Sequence, residues 1–159
     1  MILISLLSVY SCKDRGRQFN HSSVDSALMT LIGKKIPVLD PSVQDNKHKN
    51  YAILLCSPYD CVPCLDNAFA ILKKVNSQIN DNGNLVISVL DEPSSLQSNY
   101  EYYDYIMFDG DDIIRKELKY IPTPVFLILD KGHVILEYHF PTKNDNVLNI
   151  SNLLIRQLN

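Results

Sequence analysis

Long tracts of lysine and arginine are missing from this sequence. With a net charge of −3, the chain carries no electrostatic footprint for nucleic acid. Cysteine is scarce: four in 159 residues are too few for the disulfide scaffold of a small secreted protein. No second C-x-x-C accompanies Cys61-Val62-Pro63-Cys64, and His21, His48, His133 and His139 are scattered. A structural zinc site, which needs four clustered ligands, therefore has no support and no metal is expected. Internal repeats, low-complexity tracts and apolar runs long enough to span a bilayer are also lacking. What remains is a chain 46% apolar and 21% charged, the composition of a folded globular protein. Its length suits one domain that buries a core without cross-links.

The chemistry-bearing stretch is Cys61-Val62-Pro63-Cys64. Before it, Tyr51-Ala52-Ile53-Leu54-Leu55-Cys56 is a continuous apolar run with the look of a buried strand, and Ser57-Pro58-Tyr59-Asp60 is a short polar loop. After it, Leu65, Ala68, Phe69, Leu72, Val75 and Ile79 recur at helical spacing, so the cysteine pair caps the N-terminus of a helix over about 62–79. Free amide N–H groups and the helix dipole stabilise a thiolate there. Only the thiolate attacks disulfides, and a free thiol titrates near roughly 8.5. Cys61, at the helix end, is the candidate nucleophile and Cys64, one turn in, the resolving thiol. Asp60 opposes thiolate formation by its charge. Cys56, inside the apolar strand, reads as a small buried hydrophobe.

The remaining order is strand, helix and hairpin. Asn80 to Asn84 stop the helix, and Leu85 to Leu90 form a second apolar run. Strand, helix and strand in about forty residues make a βαβ unit and hence a parallel pair. Ser94 to Tyr103 reads as a polar segment with a short helix. Tyr100, Tyr102, Tyr103 and Tyr105 read as a cover for the sheet edge, a partner-binding patch being the other reading. A short strand over Tyr105 to Phe108 precedes Asp109-Gly110-Asp111-Asp112. Calcium is excluded there, because Tyr120 stands where an EF-hand loop needs glutamate, so Asp111 or Asp112 is expected to cap a helix over about 112–119. Val125 to Leu129, the turn Asp130-Lys131-Gly132 and Val134 to Phe140 form a hairpin. Val147, Ile150, Leu154 and Leu158 mark one face of a final helix over about 144–158.

At the N-terminus an apolar leader ends in Val9-Tyr10-Ser11-Cys12, which resembles a bacterial lipobox. The resemblance implies cleavage before Cys12 and lipidation of its thiol. The expected organisation is a signal peptide over 1–11, a tether over 12–25 and a folded domain over 26–159.

Taken together, the C-x-x-C, the strand opened by Thr123-Pro124 about 60 residues on and the turn at Asp130-Lys131-Gly132 resemble the thioredoxin fold. Within it, the chain resembles the membrane-anchored thiol–disulfide oxidoreductases called TlpA-like or ResA-like. The resemblance implies an α/β three-layer sandwich: a mixed sheet with a βαβ unit, then a β-hairpin and a C-terminal helix. It also implies redox action by Cys61 and Cys64, a cis bond at Pro124, and pairing of the substrate strand with the backbone beside it at Thr123. Partners are then protein thiols or disulfides, with a membrane engaged through Cys12 and no cofactor. Three positions depart from what the resemblance implies: thioredoxins carry a tryptophan where this chain has Asp60 and a buried acid where it has Leu55, and some anchored relatives carry a glutamate where it has Asn67, leaving water, Asp60, Asp66 or a group the sequence does not identify to move protons. The redox direction and number of subunits stay open, as does an anchored binding module whose cysteines form a structural disulfide.

Overall fold

Tyr51, Ile53 and Leu55 alternate with Ala52, Leu54 and Cys56 along strand β1 (Asn50–Cys56), and every one of the six is buried. A strand with both faces covered has no polar positions, which is why it reads as an unbroken apolar run. The computed structural model describes residues 31–36, 50–79, 85–88 and 106–159. The leader, Cys12, the tether and the tyrosine-rich segment lie outside the described residues, as do His21 and His48.

From β1 the chain enters α1 (Val62–Ile79) and then β2 (Leu85–Ser88), which pairs parallel to β1 with Ile53 opposite Leu85. Strand β3 (Ile106–Phe108) adds parallel to β2. A short helix, α2 (Ile113–Glu117), leads to β4 (Val125–Asp130), antiparallel to β1 with Leu55 opposite Val125. Strand β5 (Ile135–His139) closes the hairpin, and α3 (Val147–Leu158) ends the fold. The sheet is mixed, in the order β3-β2-β1-β4-β5.

Two cores lie on its two faces. On one, Ala52, Leu54 and Cys56 meet Leu65, Ala68, Phe69 and Leu72 of α1 and Leu154 and Leu158 of α3. On the other, Tyr51, Ile53 and Leu55 meet Ile114 of α2, Leu118, Ile121 and the N-terminal residues Leu31 and Ile36. The result is the expected three-layer α/β sandwich. Each fully buried leucine or isoleucine contributes roughly 1.5–3 kcal/mol. Segment 31–36 is stitched to the start of β5: Gly33 N–H donates to Ile135 O, and Ile135 N–H to Lys34 O, both at 2.8 Å. Gly33 has φ +84°, a backbone conformation that side-chain-bearing residues rarely adopt.

One cap differs from expectation. Asp112 occupies the N-cap position of α2 with φ 54° and makes no side-chain cap bond; its carboxylate instead accepts from Arg115 Nε at 3.0 Å. Asp109, buried and three residues earlier, takes over the role. Its Oδ1 accepts from Ile113 N–H at 2.8 Å and its Oδ2 from Ile114 N–H at 2.7 Å. The left-handed turn at Asp112 folds the preceding loop back under the helix, which brings Asp109 rather than its neighbours to the free amides. The helix is also shorter than expected, because Lys119 and Tyr120 both turn left-handed.

Candidate functional site

Strand β1 delivers the chain to a tight turn at the edge where β4 begins. Asp60 N–H donates to Ser57 O at 3.1 Å, and Ser57 N–H returns a bond to Asp60 Oδ2 at 2.8 Å. The turn sets Cys61 at the cap of α1, where its carbonyl accepts from Leu65 N–H at 3.0 Å. Pro63 follows in the first helical turn, where a missing N–H costs nothing. Cys61 and Cys64 are joined, with sulfurs 2.47 Å and Cα atoms 5.2 Å apart. Cys61 is exposed and Cys64 half-buried, as their places on the helix predict.

The other half of the site comes from the loop before β4. Because Val125 lies opposite Leu55, residues 123 and 124 reach past the end of β1 to the cysteine turn. The Thr123–Pro124 peptide bond is cis, Pro124 is buried and Thr123 half-buried. Thr123 Oγ1 donates to Asp60 Oδ1 at 2.6 Å, closing a contact between residues 63 positions apart. The structure thus brings together Cys61, Cys64, Thr123 and Pro124. Cys12 lies outside the described residues.

Asp60 is the group that the local electrostatics single out. Burial raises its affinity for a proton, while hydrogen bonds from Thr123 and Ser57 and the charge of Arg115 oppose that rise. The rise prevails. Arg115 divides its guanidinium between this field and Asp112, which it bonds through Nε and Nη2, and it sits 6.0 Å from the centre of the Tyr120 ring. Cys56, just before the turn, is pushed up to about 12, first by burial and then by the charge of Asp60. Such a thiol stays protonated and chemically quiet at neutral pH.

Asn67 is neutral, and its amide is engaged away from the cysteines. Its Nδ2 donates to Thr142 O at 2.7 Å and Asp145 O at 3.0 Å, fastening α1 to the loop before α3. Asp66 is exposed. Among the described residues no group of three or more His, Cys, Asp or Glu side chains is arranged to hold a metal ion. Tyr59 is 86% and Val62 65% exposed, so the sequence positions beside the cysteines carry apolar surface into solvent. Arg115, whose charge reaches Asp60, was not among the residues marked by sequence, since no spacing ties it to the cysteine pair.

No family model matches the sequence, and no curated protein matches it either. The fold, in contrast, is shared with solved structures. A Chlorobium tepidum chain assigned as a DsbE thiol:disulfide interchange protein superposes with a TM-score of 0.55 at 16% identity, over 81% of this chain and 92% of that one. The thioredoxin domain of a Bacteroides vulgatus thiol-disulfide oxidoreductase gives 0.51 at 15% identity, over 72% and 83%. The copper-bound ScoI of Bradyrhizobium japonicum gives 0.50 at 14% identity, over 80% and 99%. The chain therefore has the thioredoxin-like fold. Since one of these neighbours is described by its copper and two by their thiol chemistry, the fold alone does not choose a function.

Proposed function

We propose that the protein is an extracytoplasmic thiol–disulfide oxidoreductase that exchanges disulfides with partner proteins through Cys61 and Cys64. The observation that carries this reading is the disulfide of an exposed Cys61 with Cys64 at the start of α1, on a turn whose Asp60 is hydrogen-bonded to the Thr123–Pro124 loop. In the reductive direction the Cys61 thiolate attacks one sulfur of a partner disulfide. A mixed disulfide forms, and the other partner sulfur leaves as a thiolate that takes a proton. Cys64 then loses its proton and attacks Cys61. The Cys61–Cys64 bond forms, the second partner sulfur leaves and is protonated, and two electrons and two protons have passed to the partner. The opposite direction reverses each step.

In this reading Cys61 is the nucleophile and Cys64 the resolving thiol. The backbone beside Pro124, at Thr123, pairs with an extended segment of the partner, and Tyr59 and Val62 offer it apolar contact. Residues 26–159 form the domain. A lipid on Cys12, exposed by removal of residues 1–11, holds it at a membrane through the tether 12–25.

The decisive experiment reduces the protein with a mild dithiol and follows its reaction with a model protein disulfide. The wild type should cycle and Cys61→Ser should be slower by roughly a hundredfold or more, while Cys64→Ala should accumulate mixed disulfides. A bridge that resists mild dithiols in the folded protein would assign the pair to a structural role in a binding module. Incorporation of labelled fatty acid by the wild type and its loss in Cys12→Ala tests the anchor.

A further inference from the structure

We propose that Asp60 is a positioning residue of the dithiol reaction: its carboxylate braces the Cys61 turn against Thr123, and its charge sets the pH at which Cys61 ionises. The inference rests on the oxidoreductase reading above.

Three observations converge on this residue. It immediately precedes the cysteine at the cap of α1, so its charge lies one residue from the thiol. Its two carboxylate oxygens are divided between the two halves of the site, Oδ2 accepting from Ser57 N–H at 2.8 Å and Oδ1 from Thr123 Oγ1–H at 2.6 Å. It is also half-buried, so its charge is screened less than that of a surface carboxylate.

The groups facing Asp60 define its field. Ser57 and Thr123 contribute donors, and α2 contributes the partly opposing cation of Arg115, which is already bonded to Asp112. From β1 comes Cys56, whose thiol responds to the charge of Asp60 four residues away. Cys61 is one residue away. When the pair is reduced, ionisation of Cys61 releases one proton to solvent and moves no electrons. A neighbouring negative charge disfavours the product thiolate, whereas the N-terminus of α1 favours it. Asp60 thus works against the helix. Since low thiol pKa values accompany strongly oxidising pairs, Asp60 moves this pair towards the reducing end. The brace has a separate consequence: the side chain of Thr123 is held, which fixes the backbone that meets the partner strand.

The test uses the reduced full-length protein and measures the rate at which iodoacetamide labels Cys61 as a function of pH, read at the Cys61 peptide by mass spectrometry. Asp60→Asn keeps the shape and the acceptor for Thr123, gives up the acceptor for Ser57 N–H and removes the charge, and should lower the midpoint by about one pH unit. Asp60→Glu should keep the midpoint near that of the wild type. Thr123→Val removes the brace and keeps the charge, so it should slow turnover of a model disulfide and leave the midpoint in place. An unchanged midpoint in Asp60→Asn overturns the charge effect, and an equal shift in Thr123→Val overturns its assignment to charge. Labelling needs no turnover: a wild type inactive on disulfides would refute the oxidoreductase reading, while the midpoints judge Asp60 by themselves.

Discussion

His139 Nε2 lies 2.8 Å from Asp145 Oδ2, and the same carboxylate accepts from the backbone N–H and the hydroxyl of Thr142. Desolvation pushes the pKa of Asp145 up, but the two Thr142 bonds and His139 outweigh it and hold the group below its ordinary value. A folded-state pKa below the unfolded one, roughly 3.9, adds stability that is present above that pH and is lost as pH falls through the folded value. Asp145→Asn should therefore lower stability by about 1 kcal/mol at neutral pH. Urea unfolding at pH 7 and pH 3 checks the sign, since the gap between variant and wild type should narrow at the lower pH.

Asn67 joins α1 to the same loop by two donors aimed at two carbonyl oxygens. A glutamate at this position would set a carboxylate against those oxygens. Asn67→Glu should cost about 2 kcal/mol, more than the roughly 1 kcal/mol of Asn67→Ala, because a partly desolvated charge then faces acceptors. Thermal unfolding of the two variants at pH 7 tests the order.

The two aspartates at the start of α2 should behave differently. Asp109→Ala removes both amide acceptors from a buried site and should cost about 2 kcal/mol. Asp112→Ala removes a half-buried ion pair with Arg115 and puts alanine at a left-handed φ, and should cost about 1 kcal/mol, less than Asp109→Ala. Denaturant midpoints compare them directly.

Cys56 should resist alkylation at pH 8 in the folded, reduced protein and react once urea is added, since burial keeps its thiol protonated. Cys56→Ala should leave the turnover of a model disulfide unchanged. It should lower stability by about 1 kcal/mol through the lost packing beside Leu54 and α1. Rapid labelling of Cys56 in the native state would contradict the packing described here.

The strands and long helices were legible because each writes its environment into local pattern. β1 is covered on both faces and is apolar throughout, and α1 and α3 bury one stripe each. The cysteine pair was legible for the same reason, as a helix start is a local event. The bond from Thr123 to Asp60 was not, because it joins two loops that meet only once β4 has paired with β1. Capping by Asp109 was hidden by two aspartates nearer the helix and by the left-handed turn at Asp112. His133, in a hairpin turn, reads as readily as surface as core. Only the fold brings Tyr51 close enough for its hydroxyl to bond His133 Nδ1 and bury it.

Segment 31–36 has one more consequence. It joins the sheet beside the turn between β4 and β5, and Asp130 at that turn pairs with Asn50 at the start of β1. The cysteine turn follows the other end of that strand, about 20 Å away at 3.3 Å per residue. The bridge between Lys35 and Val134 therefore sits at the end of the sheet opposite the cysteine turn, a full strand length from Cys61.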